Sequence, residues 1–98
     1  MTTMELYLIR HMPSGGYLPA PETMSGRGGS RMVPTPAEKR PPRLFRSYRA
    51  AQSALAMWLK GEFVREHSFD GEDRVRVQSR PNRKKDEMEI VSVVVDLP

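Results

Sequence analysis

The amino-acid sequence predicts a small α+β domain, in which one amphipathic helix packs on one face of a mainly antiparallel sheet of about four or five strands. Three patterns support this fold class. Apolar residues recur at helical spacing across residues 47–61, strand-forming runs occupy residues 4–11 and 88–97, and residues 74–78 alternate between polar and apolar side chains. With 98 residues, 38% of them hydrophobic, the chain has the size of one domain with a thin core, so we expect a single domain over residues 1–98.

The first third of the chain predicts a strand, a turn and a long insertion. The strand at residues 4–11 is followed by Pro-Ser-Gly-Gly, a strong turn signal, and residues 17–18 are expected to return as the second arm of a hairpin. Residues 20–42 form a glycine- and proline-rich insertion. Within it we expect residues 20–30 to be mobile, residues 31–33 to form a brief strand, and residues 34–42, with four prolines, to form an extended polyproline-like linker.

Residues 42–63 are the predicted strand–helix unit at the centre of the fold. A short strand at residues 43–46 is expected to lead directly into the helix. Ser47 suits the N-cap position because its hydroxyl can accept a hydrogen bond from a free backbone N–H of the first turn. Gly61 is the residue that most easily adopts a left-handed conformation, and it therefore marks the end of the helix.

The apolar stripe of this helix predicts which side chains form the core. Ala51, Leu55 and Trp58 fall on one face of the helix, which indicates that they pack against the sheet. The valine-rich run at residues 88–97 is the most strand-like part of the chain, and we expect Val93 or Val94 to contact this stripe. An acidic segment, residues 62–73, follows the helix. The strand at residues 74–78 is then expected to pair with residues 88–97 as a C-terminal hairpin spanning residues 73–97.

Composition excludes several functional classes. The chain has no cysteine, which excludes a disulfide framework and any thiolate metal site. The first residues lack the basic start and long apolar run of a signal peptide, and no segment has the length of a membrane span. We therefore expect a soluble cytoplasmic protein with no membrane partner.

No pattern in the sequence predicts catalysis, a metal site or a cofactor. Residues 8–11 resemble the strand ending of histidine phosphatases, but Met12 and Pro13 follow His11 where that family has glycine. The other histidine, His67, lies among acidic residues that we expect to be a solvated patch, because a tight metal site needs three or four ligands held together. The glycine-rich residues 25–29 lack the lysine and hydroxyl residue of a phosphate-binding P-loop. We expect the protein not to be an enzyme.

Charge predicts two candidate binding surfaces. The chain carries 16 Lys+Arg against 12 Asp+Glu, a net charge of +4, and arginine suits phosphate and carboxylate groups through its planar fork. Free N–H groups and arginines at a helix start can bind an anion, and basic side chains on a hairpin can contact phosphates. The alternative is that both clusters are solvated surface charges. The first cluster, at the helix start, comprises Lys39, Arg40, Arg43, Arg46 and Arg49, and the second comprises Arg74, Arg76, Arg80, Arg83, Lys84 and Lys85.

The segments YLIR, SGGYLP, PRLFRSYRAAQSALAMWLKG and MEIVSV together resemble a group of small bacteriophage proteins of unassigned function. The resemblance spans most of the chain, and it rests on core residues, a helix cap and a terminating glycine. It implies an accessory protein, acting in the cytoplasm of an infected bacterial host, that binds and inhibits a defence complex stoichiometrically, as anti-CRISPR proteins do. The partner would be a host protein or nucleoprotein complex. The basic charge argues against imitation of a DNA backbone.

A second resemblance concerns Arg43, Phe45 and Ser47 with the alanines that follow them. This strand-to-helix pattern is similar to that of the sheet-plus-helix DNA-binding modules of phage integrases and AP2-like domains. Such modules insert a sheet into the major groove, where arginine reads base edges. The alternative function is therefore nucleic-acid binding. In this chain a proline-rich interruption separates the opening hairpin from the strand, unlike in those modules.

Overall fold

The described part of the computed structural model contains four strands and one α-helix, which confirms the α+β class. It describes residues 2–21, 31–67, 71 and 73–98, with the backbone alone at 64–67 and 73–75. The order is β1 (Thr2–His11), α1 (Tyr48–Lys60), β2 (Glu62–His67), β3 (Asp73–Gln78), a 3-10 turn (Lys85–Glu87) and β4 (Met88–Leu97). The predicted single sheet of four or five strands is wrong: the four described strands form two antiparallel pairs, β1–β4 and β2–β3.

Helix α1 matches the prediction closely. The Ser47 hydroxyl accepts a hydrogen bond from the Ala50 N–H at 3.1 Å, as an N-cap should. Ala51, Leu55 and Trp58 are buried, as their spacing predicts. Gly61 ends the helix with a positive φ of 128°, but its ψ of −165° lies outside the left-handed helical region. The cap residue is thus correct, although the conformation differs from the one expected.

The β1–β4 pair positions the helix. Ile9 lies opposite Ile90 and His11 lies opposite Met88, and these pairs are on the face that α1 covers. Leu8 lies opposite Val91 and Leu6 opposite Val93, on the other face. The core lies between this ribbon, α1 and the segments that lead to it. Its buried members are Ile9, Leu18, Phe45, Ala51, Leu55, Trp58 and Met88.

Short bridges replace the longer pairings expected on the other edge of β1. Tyr7 and Phe45 exchange two backbone hydrogen bonds of 2.8 Å, and the Leu18 N–H donates to the Ile9 carbonyl at 3.0 Å. Phe45 is thus in an isolated bridge and not in a regular strand at residues 43–46. Residues 17–18 return alongside β1 as expected, also through isolated contacts.

The predicted brief strand at residues 31–33 is absent from the structure, and a bridge between Tyr17 and Thr35 lies just beyond it. Proline on each side of Thr35 removes the N–H groups that would extend the pairing. The polyproline-like linker is also wrong for residues 36–40. These residues form a turn in which the N–H groups of Lys39 and Arg40 both point to the Pro36 carbonyl. The expected mobile loop at residues 20–30 lies, from residue 22 onward, outside the described residues.

The predicted C-terminal hairpin is wrong because its two strands belong to different sheets. Strand β3 pairs with β2, which arises from the acidic segment after the helix, and β4 pairs with β1. The β2–β3 register places the backbone of Glu66 opposite that of Arg74. Five residues connect β2 to β3 and nine connect β3 to β4, so the β2–β3 pairing closes the smaller loop.

The valines expected against the helix do not contact its stripe. Val94 is 67% exposed, and the β4 residues that pack with α1 are Met88 and Ile90, at the start of the strand. Because side chains alternate between faces, Val93 lies on the side opposite the helix. The helix therefore covers only the inner half of the ribbon, and the outer half extends beyond it.

Candidate functional site

The start of α1 is held in a fixed position by its neighbours. Phe45 is buried in the core and its backbone pairs with Tyr7 of β1. Two residues later Ser47 caps the helix, and its carbonyl accepts the first helical hydrogen bond, from the Ala51 N–H at 3.2 Å. The chain direction through residues 45–51 is thus set by one buried aromatic ring, one bridge and one cap.

Arg46 and Arg49 lie on either side of this cap. Both are exposed, and neither makes a hydrogen bond or an ion pair with another described residue. The first turn of α1 contains no acidic residue, so no neighbouring carboxylate in that turn neutralises them. The N–H groups of the first turn carry the positive end of the helix dipole. Two unpaired guanidinium groups beside that end can bind a phosphate or a carboxylate.

The other three members of the first cluster have different environments. Arg40 donates a hydrogen bond to the Ala20 carbonyl at 2.9 Å and reaches the Met32 sulfur at 3.7 Å. The Arg43 guanidinium lies 4.8 Å above the centre of the Phe45 ring. Lys39 is exposed within the turn at residues 36–40. Arg40 therefore joins distant segments of the fold, and Arg43 packs on a ring two residues along the chain. Within this cluster only Lys39 shares the exposed position of Arg46 and Arg49.

Two members of the second cluster form ion pairs with Glu62 of β2. Arg80 donates to a Glu62 carboxylate oxygen at 2.6 Å, and Arg83 lies 3.8 Å from the other oxygen. The hydrogen bond from Arg80 is the main reason that the pKa of Glu62 lies below its usual value; burial opposes this shift, and the charges of both arginines add to it. In β3 the Arg74 side chain lies outside the described ones, and the Arg76 side chain is exposed. Lys84 and Lys85 are exposed beside the 3-10 turn.

Arg83 is a structural residue, which the sequence did not predict. Its guanidinium stacks 4.2 Å from the centre of the Trp58 ring and donates to the Trp58 carbonyl at 2.7 Å, near the end of α1. Burial lowers its pKa, an effect that the Glu62 charge partly offsets. The Trp58 indole N–H in turn donates to the Met32 carbonyl at 2.8 Å. Arg83 lies 25 residues beyond Trp58 in the sequence, so no local pattern pointed to this contact.

His11 belongs to a hydrogen-bonded turn at the end of β1. Its Nδ1 lies 2.7 Å from the Ser14 hydroxyl, and its Nε2 lies 3.5 Å from a Glu87 carboxylate oxygen. The Ser14 oxygen also accepts the Gly16 N–H at 3.2 Å, so these contacts stabilise the turn. The His67 side chain lies outside the described ones, and its backbone is opposite Asp73.

Within the described ranges, no group of three or more His, Cys, Asp or Glu residues has a geometry that could hold a metal ion. No described helix is long and apolar enough to cross a membrane. Comparisons with protein-family models, with curated proteins and with solved structures found no match.

Proposed function

We propose that this protein is a non-catalytic binder that inhibits a bacterial host defence complex, as its resemblance to small phage proteins implies. Its contact with the partner would be made by the start of α1. One observation carries the proposal: Arg46 and Arg49 are exposed, unpaired with other described residues, and placed on either side of a capped helix N-terminus.

The electrostatics of this helix end favour a binding role for the two arginines. A positive charge near a helix N-terminus has the same sign as the dipole and destabilises the helix by about a few tenths of a kcal/mol. Arg83, by contrast, lies at the other end of α1, where the dipole favours a cation, and it contacts the Trp58 carbonyl and Glu62. Arg46 and Arg49 have no such compensation among the described residues. A partner with phosphates or carboxylates on its surface would supply it.

Nucleic acid remains the alternative anionic partner, but it would now be reached through the helix start and not through a sheet. A two-stranded ribbon can enter the major groove. In this chain, however, the arginine-bearing strand β3 lies against β2, which contributes Glu62 and Glu66. Acidic residues on the paired strand would weaken the attraction of this ribbon for the phosphates of a duplex. Arg46 and Arg49 would therefore form the contact surface for a protein partner and for a nucleic acid alike, and a binding experiment distinguishes the two partners.

The test compares two charge reversals of equal size. The variant Arg46→Glu/Arg49→Glu changes the site, and Arg31→Glu/Lys60→Glu changes two exposed cations outside both candidate clusters by the same total charge. Each would be produced in a host with an active defence system that is then challenged with phage. We expect the wild type and the control to protect the phage equally, and the arginine variant to lose protection while its circular dichroism stays unchanged.

Two results would count against this proposal. Full protection by the arginine variant would remove the helix start as the contact surface. Absence of protection by the wild type against every defence system tried would remove the inhibitor reading. A parallel titration with a labelled duplex tests the alternative, because each lost phosphate contact lowers the slope of log affinity against log salt by about one. A tight wild-type complex whose slope falls by about two in the arginine variant would favour nucleic-acid binding.

A further inference from the structure

Within the described residues, strand β4 has no pairing partner along the outer half of one edge, which we call the open edge. On β1, Tyr7 bonds to Phe45, the Ile9 carbonyl accepts from Leu18, and the His11 N–H donates to Gly16. The odd-numbered residues of β1 therefore direct their backbone groups away from β4, and the even-numbered ones direct theirs toward it. Through the register, the odd-numbered residues of β4 bond to β1. The backbone groups of Ile90, Ser92, Val94 and Asp96 then point outward, where no other described residue pairs with them.

This open edge is apolar. Residues 90–95 read Ile-Val-Ser-Val-Val-Val and carry no charge. Val94 is 67% exposed, and Val95 and Leu97 are each 36% exposed. Natural proteins protect such edges with charge, proline, a bulge or a covering element, because an unprotected one readily pairs with another strand. None of these protects the edge between Ile90 and Val95 in the described part of the chain.

We propose that the edge pairs with β4 of a second copy of this chain. The two strands would run antiparallel about a two-fold axis at Ser92, which joins the two ribbons into one sheet in the order β1-β4-β4-β1. Such a symmetric contact uses the same surface on both copies. A four-stranded sheet is of common size, whereas an isolated two-stranded ribbon is only marginally stable. The surface is distinct from Arg46 and Arg49, so this inference does not depend on the proposed function.

The register follows from hydrogen bonding and from charge. Only registers that place even-numbered residues opposite even-numbered residues let the outward backbone groups bond. With Ser92 opposite itself, Ile90 faces the partner's Val94, and Val91 faces the partner's Val93. The two acidic residues, Glu89 and Asp96, do not face each other. The three pairs around the axis exchange about six main-chain hydrogen bonds, within the usual range for a protein interface.

In the proposed dimer, side chains on the helix-covered face of β4 would also contact the second copy. Ile90 and Met88 border a groove between β4 and α1, which is also lined by Leu55, Leu59 and Lys85. In the Ser92-centred register the partner's Val94 lies beside Ile90, at this groove. The partner's Asp96 lies opposite Met88, on the side where Lys85 lines the groove. The most exposed valine of the described chain thus meets an apolar groove, and a carboxylate meets an ammonium group.

The mass in solution tests the dimer directly. We expect light scattering and sedimentation to show a concentration-dependent shift from 11.2 kDa to twice that value. Val94→Lys should stay monomeric because it places a charge in the apolar groove. Val33→Lys is the matched control, since Val33 is 62% exposed on another part of the surface, and it should dimerise like the wild type. A wild type that stays monomeric at every concentration would overturn the proposal.

Two further variants test the register. Asp96→Lys and Lys85→Asp should each weaken the dimer, and the double variant should restore it because the pair is re-formed with reversed charges. The chain has no cysteine, so a spin label on Ser92→Cys reports one site, and adjacent labels at the axis should broaden its spectrum. The same label on Ser79→Cys, which is exposed elsewhere, should stay sharp. A dimer with no rescue by the double variant and a sharp spectrum at position 92 would show association through another surface.

Discussion

Replacing Gly61 by alanine is predicted to destabilise the whole domain. Gly61 joins the end of α1 to β2 with a φ of 128°. A Cβ atom at this position would clash with the Gln78 carbonyl oxygen and would lie 2.7 Å from its carbon, both backbone atoms at the end of β3. No rotamer change relieves a clash between a Cβ atom and backbone. The β2–β3 pair and the helix end must therefore separate, or the variant must remain strained.

The magnitude follows from two contributions. Holding a residue other than glycine at such a φ costs of order 1–3 kcal/mol. Inserting a methyl group into a closely packed site costs typically about 1–3 kcal/mol more. Their sum, about 2–6 kcal/mol, is comparable with the 5–15 kcal/mol that stabilises a typical domain. We therefore expect Gly61→Ala to lower the urea midpoint sharply and to leave a measurable unfolded fraction in buffer.

Gly15→Ala provides the matched control. Gly15 also has a positive φ, 72°, but a Cβ atom there would meet no atom within 4 Å. This variant carries only the conformational penalty, about 1–2 kcal/mol. Urea unfolding followed by the fluorescence of Trp58, the one tryptophan, measures both. Equal loss of stability in the two variants would refute the reasoning, because it would show that the Gln78 backbone does not pack against the helix end.

Three other perturbations test the core and the ion pairs. Leu55→Ala should cost about 2–5 kcal/mol by leaving a cavity in the core, whereas Met57→Ala, at a 47% exposed position of the same helix, should change stability by less than about 0.5 kcal/mol. Arg83→Met should cost about 1–3 kcal/mol, because the Trp58 carbonyl loses a charged donor, and Lys84→Met is its control. The lowered pKa of Glu62 means that its stabilisation is present above the unfolded-state pKa of about 4.3 and is lost as the pH falls through the lower folded-state value. Glu62→Gln should therefore lose stability at neutral pH and show a shallower decline in acid than Glu38→Gln does.

The helix was predictable because its determinants are local. The cap at Ser47, the stripe of Ala51, Leu55 and Trp58, and the terminating Gly61 all lie within 15 residues. Strand pairing depends on contacts between distant segments, and several partners are chemically acceptable. Six of the twelve residues at 62–73, after the helix, are charged. This composition obscured the strand pattern of β2, and the error assigned β4 the wrong neighbour. The valine-rich sequence of β4 suggested a core strand, whereas its outer half is exposed.

The candidate site was predictable in part for the same reason. Arg46 and Arg49 follow from the helix start alone, since their positions relative to the cap are set by sequence. The roles of Arg40, Arg80 and Arg83 depend on residues about 18 to 25 positions away in the chain. By residue type alone, all of these arginines would be assigned to a basic surface. Only the fold separates the arginines that hold segments together from those that remain free to bind.

This separation determines which mutations can test binding. The described chain has only eight buried hydrophobic residues, and a core of that size leaves polar contacts to connect its segments. Arg83 joins the end of α1 to the segment before β4, and Arg80 ties that segment to β2 through Glu62. Reversing the charge of either would place two carboxylates together, and reversal at Arg83 would also release the helix end. A loss of activity in these variants would therefore report loss of structure. Reversal at Arg46 and Arg49 places carboxylates where the helix dipole favours them. The fold should hold or gain slightly in stability, and any loss of activity there reports the contact itself.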